Sequence, residues 1–421
     1  MDAITGISVG EYRDRQARLR AAAAERGLYA VVAVSRGGGT HDRTADALWL
    51  AGLAASQPFV PDLAGHWRGA GHVAVIVPVD GACTAIVESD ELQTPPVADE
   101  VVVSSDVIAA AAAALADALG SGRTPRVGVL GSDVVPAAWF AVLEDVLRAR
   151  GRLSACEPAD DLAMRLRRIK SPAEQRLLRA AGALGSRAMD AALSVAEPGA
   201  SEAQVAAAFF ETVVAEGGAV YDVVVSSGPM SGTLGPSGGL AGAARWTTRT
   251  LHAGEFLRLD AYGSLGGYLF DFARSTVVGG DPSAEQTDLL SALRDAVAAG
   301  VELLRPGVGL SEVAKRCASV LAGSRHARRH GVPAHTMSGF WGHGLGLGWE
   351  PPWIGPDSPE TVEDGMCLAL ERRAAVEGLG GAQYEDNVLV GANGPELLTR
   401  LPFGAAGGDG SFQREGGSGP F

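Results

Sequence analysis

Lysine is nearly absent from this chain of 421 residues, occurring only at Lys170 and Lys315. That leaves little room for a Schiff-base nucleophile, and arginine at the other basic positions reads as the codon bias of a high-GC genome. Positive charge is scarce overall: the formal net charge is −14 at pH 7, so no basic field exists to collect phosphates and a nucleic-acid partner is excluded. Cysteine is sparse too. Cys83, Cys156, Cys317 and Cys367 show no Cys-x-x-Cys spacing and read as small buried hydrophobes of a reducing, cytoplasmic compartment. No apolar run is long enough for a bilayer. The best one, Val107 to Leu119, is interrupted by Asp117 and reads as an alanine-rich buried helix, so no membrane association is expected. The start, Met1-Asp-Ala-Ile-Thr-Gly6, lacks the basic residues and apolar core of a signal peptide.

What is present is apolar residue, 47% of the chain, and length enough for two cores. Glu11 to Arg26 has helical periodicity and leads into a strand at Ala30 to Val34. Strands follow at Val73 to Pro78 and Cys83 to Val87, joined by the turn Val79-Asp-Gly-Ala82, with a further strand at Arg126 to Leu130 and a helix at Ala137 to Arg150. This alternation predicts an α/β domain over residues 1–160. The basic cluster Arg165, Arg167, Arg168 and Lys170 reads as the solvated edge of a helix or an interdomain joint. Ser171-Pro-Ala-Glu174 then carries a helix start: serine caps, proline takes the first helical position and glutamate closes a capping box. A second domain is expected over 161–403. Pro198-Gly-Ala-Ser-Glu202 is echoed by Pro306-Gly-Val-Gly-Leu-Ser-Glu312, each ahead of an amphipathic helix, which suggests two pseudo-symmetric α/β halves with a cleft between them. The glycine-rich tail, 404–421, is expected to be disordered.

Five residues with metal-binding side chains lie in order along the last third: Asp260, Asp271, His343, Glu371 and Glu385. The two aspartates flank a turn at Leu265, Gly266 and Gly267, and a turn centred there sets them directly opposite. Opposed residues of an antiparallel pair hold their Cβ atoms about 5 Å apart. That spacing suits carboxylates sharing metal ions roughly 3.5–4 Å from one another. Glu371 and Glu385 flank a turn centred on Gly378 and oppose each other in the same way. His343, in the glycine-flanked loop Gly342-His-Gly-Leu-Gly-Leu-Gly348, adds one imidazole. Four carboxylates and an imidazole suit Mn²⁺, Co²⁺, Fe²⁺ or Zn²⁺ rather than a thiolate-seeking ion.

These residues, in this order, resemble the pita-bread metallohydrolases: creatinase, prolidase, aminopeptidase P and methionine aminopeptidase. Arg167-Arg-Ile-Lys-Ser-Pro-Ala-Glu174 is similar to the segment that opens their catalytic domain, Glu385-Asp-Asn-Val-Leu-Val390 to their last ligand strand, and Ala47-Leu-Trp-Leu-Ala-Gly52 to a short strand of the creatinase-like N-terminal domain. The resemblance implies that Asp260 holds one metal, that His343 and Glu371 hold a second, and that Asp271 and Glu385 bridge them around a water nucleophile. It implies Glu371 as the proton acceptor, Arg274 as the residue that orders the carboxylates, and a homodimer in which the His66-Trp-Arg68 loop reaches the neighbouring subunit. Trp349, His335, Gln383 and Tyr221 are assigned to substrate binding, with Trp341, Trp353 and Phe340 adding flat walls suited to a small ring or a cation.

Four departures stand beside the matches. Gly235 and Trp349 take the places of two histidines that serve proton transfer in the peptidases; Glu371-Arg-Arg373 replaces Glu-Pro-Gly; and Gln383 stands where an arginine usually precedes the last ligand. The expectation is a two-metal hydrolase cleaving an amide, amidine or Xaa-Pro-like C–N bond of a small molecule or dipeptide-like substrate. Alternatives are an Xaa-Pro peptidase proper, a metal-dependent lyase of the dimethylsulfoniopropionate type, and a non-catalytic binding protein. Gly235-Pro-Ser-Gly-Gly239 matches a serine-hydrolase elbow, but glycine-rich sequence follows where that elbow needs a helix.

Overall fold

The computed structural model describes residues 6–35, 45–54, 61–63, 66–90, 94–119, 125–133, 135–150, 155–233, 245–332 and 339–401. His335, Gly235, Ser237 and the tail 404–421 lie outside them.

The first half is a six-stranded sheet built from β1 (Ala30–Ser35), β2 (Val73–Pro78), β3 (Thr84–Val87), β4 (Glu100–Val103), β5 (Arg126–Leu130) and β6 (Ala155–Pro158), in the order β4-β3-β2-β1-β5-β6. Alternation along β1 sends Val31 and Ala33 to one face and Ala30, Val32 and Val34 to the other. The first face is covered by α1 (Val9–Glu25), α2 (Ala45–Ala51) and α5 (Asp160–Arg167). The second is covered by α3 (Val107–Ala118) and α4 (Ala137–Ala149). The segment Ala47 to Gly52, expected as a strand, is α2. Short apolar runs do not distinguish the two, and here Arg15 and Gln16 of α1 donate to the carbonyls of Trp49 and Leu50 at the open end of that helix.

The second half pairs helices outside and sheets inside. α6 (Pro172–Ser194) starts at the capping box read from the sequence, with Ser171 and Glu174 each accepting from the other's backbone N–H. With α7 (Glu202–Ala215) it packs on a three-stranded sheet, β7 (Ala219–Ser227), β8 (Phe256–Leu265) and β9 (Tyr268–Val277). α8 (Ala284–Val301) and α9 (Leu310–Ala322), followed by α10 (Arg325–His330), pack on a five-stranded sheet. That sheet runs β11-β10-β12-β13-β14, from β10 (Gly342–Leu345), β11 (Trp349–Trp353), β12 (Cys367–Val376), β13 (Gly380–Gly391) and β14 (Gly394–Leu397). The two sheets meet where β9 lies against β13: the Gln383 N–H donates to Ser275 at 2.9 Å, and the Asp271 N–H donates to the Asn387 side chain at 2.9 Å.

Register decides which side chains enter the space between the sheets. Glu371 and Glu385 oppose each other, as the turn centred on Gly378 requires. The aspartate hairpin differs from expectation. Its turn is the two residues Gly266 and Gly267, both at positive φ (59° and 86°), and the strands close at Leu265 and Tyr268. Asp260 therefore opposes Ala273, and Asp271 opposes Tyr262. The aspartates are diagonal neighbours, two residues out of step, and still share a face because the side-chain period is two.

Candidate metal centre

His343 sits on a strand rather than in a loop. β10 runs between β11 and β12, with His343 beside Ala369, so its imidazole enters on the Glu371 face. The flanking glycine is required: a Cβ on Gly342 would fall 1.9 Å from the Ala369 carbonyl oxygen. The ring Nδ1 lies 3.0 Å from the Gly344 carbonyl, which can only accept, so Nδ1 carries the proton and Nε2 is left as the donor atom for a metal. Nε2 lies 3.5 Å from Asp271 Oδ2. Burial between the rings of Trp349 and Trp353 pushes the His343 pKa down to about 4, keeping it neutral.

Among the described residues, Asp271, His343 and Glu385 present ligand atoms within 4.8 Å of one another. Asp260 and Glu371 line the same cavity, a space of about 300 Å³. All four carboxylates are pushed above their ordinary range, first by burial; Asp271, Glu371 and Glu385 are raised further by neighbouring carboxylates, Glu371 up to about 7, while Arg258 and Gln383 partly offset the burial of Asp260. Four buried acids with this mutual repulsion need cations or protons to neutralise them. The donor set, four carboxylates and one imidazole with its other nitrogen tied to a carbonyl, fits divalent metal ions of intermediate hardness.

The surroundings refine several expectations. Arg274 is buried and acts one step behind the carboxylates: it donates to the Glu385 carbonyl at 2.5 Å and to Asp386 at 2.6 Å. Asn387, in the same Glu-Asp-Asn segment, clamps the Asp271 peptide through both its amide atoms. Gln383 lines the cavity but is engaged within the protein, donating to Glu371 Oε2 at 3.2 Å and accepting from Arg258 at 3.3 Å. Trp349 does more than wall the site: its indole N–H donates to Asp271 Oδ2 at 2.6 Å. Tyr221 is not among the lining residues. It falls at the β7 irregularity between Val220 and Asp222, its hydroxyl meets Ser264 at 3.0 Å, and Asp222 faces the cavity instead. The sequence reading missed Asp222, Arg245 and Arg258; only the period-two spacing of Arg258 from Asp260 signalled any of them. His66 is exposed on its own loop.

The profile of metallopeptidase family M24 matches residues 176–392, more than half of the chain. A probable dipeptidase, PepE, of Mycobacterium tuberculosis is 32% identical over 274 residues, 64% of this chain and 68% of that protein. The chain belongs to metallopeptidase family M24. Among solved structures, dipeptidase PepE from Mycobacterium ulcerans superposes with a TM-score of 0.73 at 28% identity, covering 94% of this chain and 98% of that one. The prolidase from Pyrococcus horikoshii superposes with a TM-score of 0.73 at 18% identity, a likeness of fold alone, over 93% and 99% of the two chains. The fold is thus the pita-bread fold with a creatinase-like α/β N-terminal half. This family M24 chain is a metal-dependent hydrolase whose relatives are dipeptidases and Xaa-Pro peptidases. No helix among its described residues is long and apolar enough to cross a membrane.

Proposed function

We propose that this chain hydrolyses a C–N bond of a small, dipeptide-like substrate using two divalent cations held by Asp260, Asp271, His343, Glu371 and Glu385. The observation that carries this reading is the convergence of all five side chains on one cavity of about 300 Å³, a volume suited to a small molecule. Bound cations supply Lewis-acid activation of water and of the scissile carbonyl or amidine. The remaining work belongs to the chain. Glu371, which lines the cavity among the other ligands, is the group placed to accept and return a proton. Gln383 fixes its orientation. Asn387 and Arg274 hold the backbones of Asp271 and Glu385, so the ligands are preorganised. Trp349 supplies a fixed N–H donor where the peptidases place a histidine and has no proton to exchange, so acid–base work rests on Glu371 and the substrate is specialised relative to a general Xaa-Pro peptidase.

The carboxylate-rich donor set favours manganese within the reading, four free cysteines support a reducing cytoplasm, and the family resemblance supports a homodimer. The units in this reading are 1–160, an N-terminal domain, 161–403, the catalytic domain, and 404–421, a tail. The test is a turnover screen of protein loaded with Mn²⁺, Co²⁺ or Zn²⁺ on dipeptides, Xaa-Pro dipeptides, creatine-like amidines and sulfonium betaines in ¹⁸O water. The reading expects chelator-sensitive cleavage with label in the product. An elimination product without label, or turnover indifferent to chelator, contradicts it.

A further inference from the structure

The first half of the chain holds a second cavity that the metal centre does not use. It is an open pocket of about 290 Å³ lined by Arg13, Gln16, Ala17, Arg20 and Asp99, none of which borders the cavity between the sheets. Helical spacing makes it: positions 13, 16, 17 and 20 of α1 fall on one face, and Asp99 comes from the segment that enters β4. Two of the walls are fixed. Arg13 pairs with Asp99 at 2.9 Å and donates to Gln16 at 3.1 Å and to the Ala98 carbonyl at 3.2 Å. Gln16 in turn donates to the carbonyls of Leu50 and Val97. The second oxygen of Asp99 accepts the Cys83 N–H at 2.7 Å, so this carboxylate is engaged on both sides.

Arg20 is different. Its Nε is buried without a hydrogen-bond partner, and among the described residues no carboxylate or carbonyl meets its guanidinium. It is nonetheless held at the same place as the others: Arg20, Asp99 and Arg13 are the charges that act on the buried Cys83 thiol. Two guanidiniums and one carboxylate leave the pocket with one positive charge, on a chain whose formal net charge is −14. A desolvated guanidinium nitrogen with its donor unmet is costly, and its planar fork matches the oxygens of a carboxylate or a phosphate. Ala17, small and exposed between the two arginines, keeps the approach clear.

We propose that Arg20, with Arg13 beside it, forms a binding site for a small oxyanion, a carboxylate or a phosphate, in the N-terminal half and apart from the metal centre. The test follows the melting temperature of the metal-loaded full chain against acetate, inorganic phosphate and the neutral acetamide at constant ionic strength, since whatever binds the folded state stabilises it by mass action. Anions that bind at the metals do so in every variant, so the difference between proteins reads the pocket. Arg20→Met removes the free guanidinium. Ala17→Glu keeps both arginines and sets a tethered carboxylate between them, which serves should Arg20→Met fail to fold. Arg18→Met is the control, on the same helix with a side chain that donates to the Leu166 carbonyl outside the pocket. The site requires acetate or phosphate, and not acetamide, to bind about ten-fold more weakly to Arg20→Met and Ala17→Glu than to the unaltered chain and the control. A loss confined to acetate assigns a carboxylate, and one confined to phosphate assigns a phosphate or phosphomonoester. Oxyanion affinities equal in all four proteins overturn the proposal, because binding would then lie at the metals alone. So does a loss of acetamide as large as that of acetate, since the pocket would not be reading charge.

Discussion

Trp349 joins two jobs that its position beside a ligand histidine would otherwise divide: its ring packs on His343 and its N–H holds Asp271 Oδ2. Replacing it by phenylalanine keeps the ring and removes the donor. Partners of this kind are worth about 10- to 100-fold in metal affinity, so we expect Trp349→Phe to weaken metal binding by about ten-fold in a chelator competition while the protein stays folded; unchanged affinity would show the hydrogen bond to be incidental. The carboxylates themselves make a pH statement. The Glu371 pKa is raised from 4.5 to about 7 in the folded chain, so its contribution to stability is fully present below about 4.5 and is lost as pH rises through about 7. The other raised carboxylates, Asp260, Asp271 and Glu385, act in the same direction. Metal-free protein should therefore melt at a lower temperature at pH 8 than at pH 5.5, and metal should abolish the difference. A metal-free melting temperature that rises over this range would mean that the carboxylates do not crowd one another.

At the scale of elements, the strands of the first sheet were legible where they were long and apolar, as in β1, β2 and β5, because buried strands read as continuous runs bounded by turn residues. β4, a four-residue edge strand with Val101 and Val103 exposed, and β6, which ends at Pro158, gave no such signal. The Glu371–Glu385 register followed from one glycine, since a single turn geometry fits Gly378. The Asp260–Asp271 register did not, because Leu265-Gly-Gly-Tyr268 lets the turn centre fall at more than one place and only the paired positive φ values of Gly266 and Gly267 fix it. The ligand set survived the error because a shift of two residues preserves the face. What stayed hidden, such as Asn387 on the Asp271 peptide and Arg258 on Gln383, depends on one sheet approaching the other, which local spacing does not encode. Gly342 gives the element-scale test. A methyl group there would clash with the Ala369 carbonyl at 1.9 Å, so we expect Gly342→Ala to cost about 3 kcal/mol or more in urea unfolding, because backbone has no room to yield. A cost under about 1 kcal/mol would show that β10 can slide.

For the whole molecule, a buried ionic joint ties the two halves together. Of the two readings of the basic cluster, a solvated helix edge or a joint, the buried contacts of Arg167 and Lys170 fit the joint: Arg167 meets Asp46 of α2 and Glu350 of β11, each at 2.6 Å, and Lys170 meets Glu350 at 2.8 Å. Only Arg165 and Arg168 keep substantial exposure. Leu48 of α2 packs over Gly267, so the N-terminal half touches the turn that sets the aspartate register, and through Arg167 it reaches Glu350, the residue next to Trp349. Removing one partner of a buried ion pair costs about 3–5 kcal/mol. Glu350→Gln should lose stability on that scale in chemical denaturation, by leaving Arg167 and Lys170 facing a neutral amide; a loss below about 1 kcal/mol would mean that water already reaches the joint.

The central claim is that five side chains from two facing sheets hold a pair of cations. Metal stoichiometry of the reconstituted chain, measured by elemental analysis and calorimetry alongside Asp260→Asn and His343→Ala, tests it most directly. The account expects two equivalents of Mn²⁺ in the unaltered protein and a loss of binding in each variant. Protein that stays empty under saturating metal, or two equivalents retained by both variants, would contradict it.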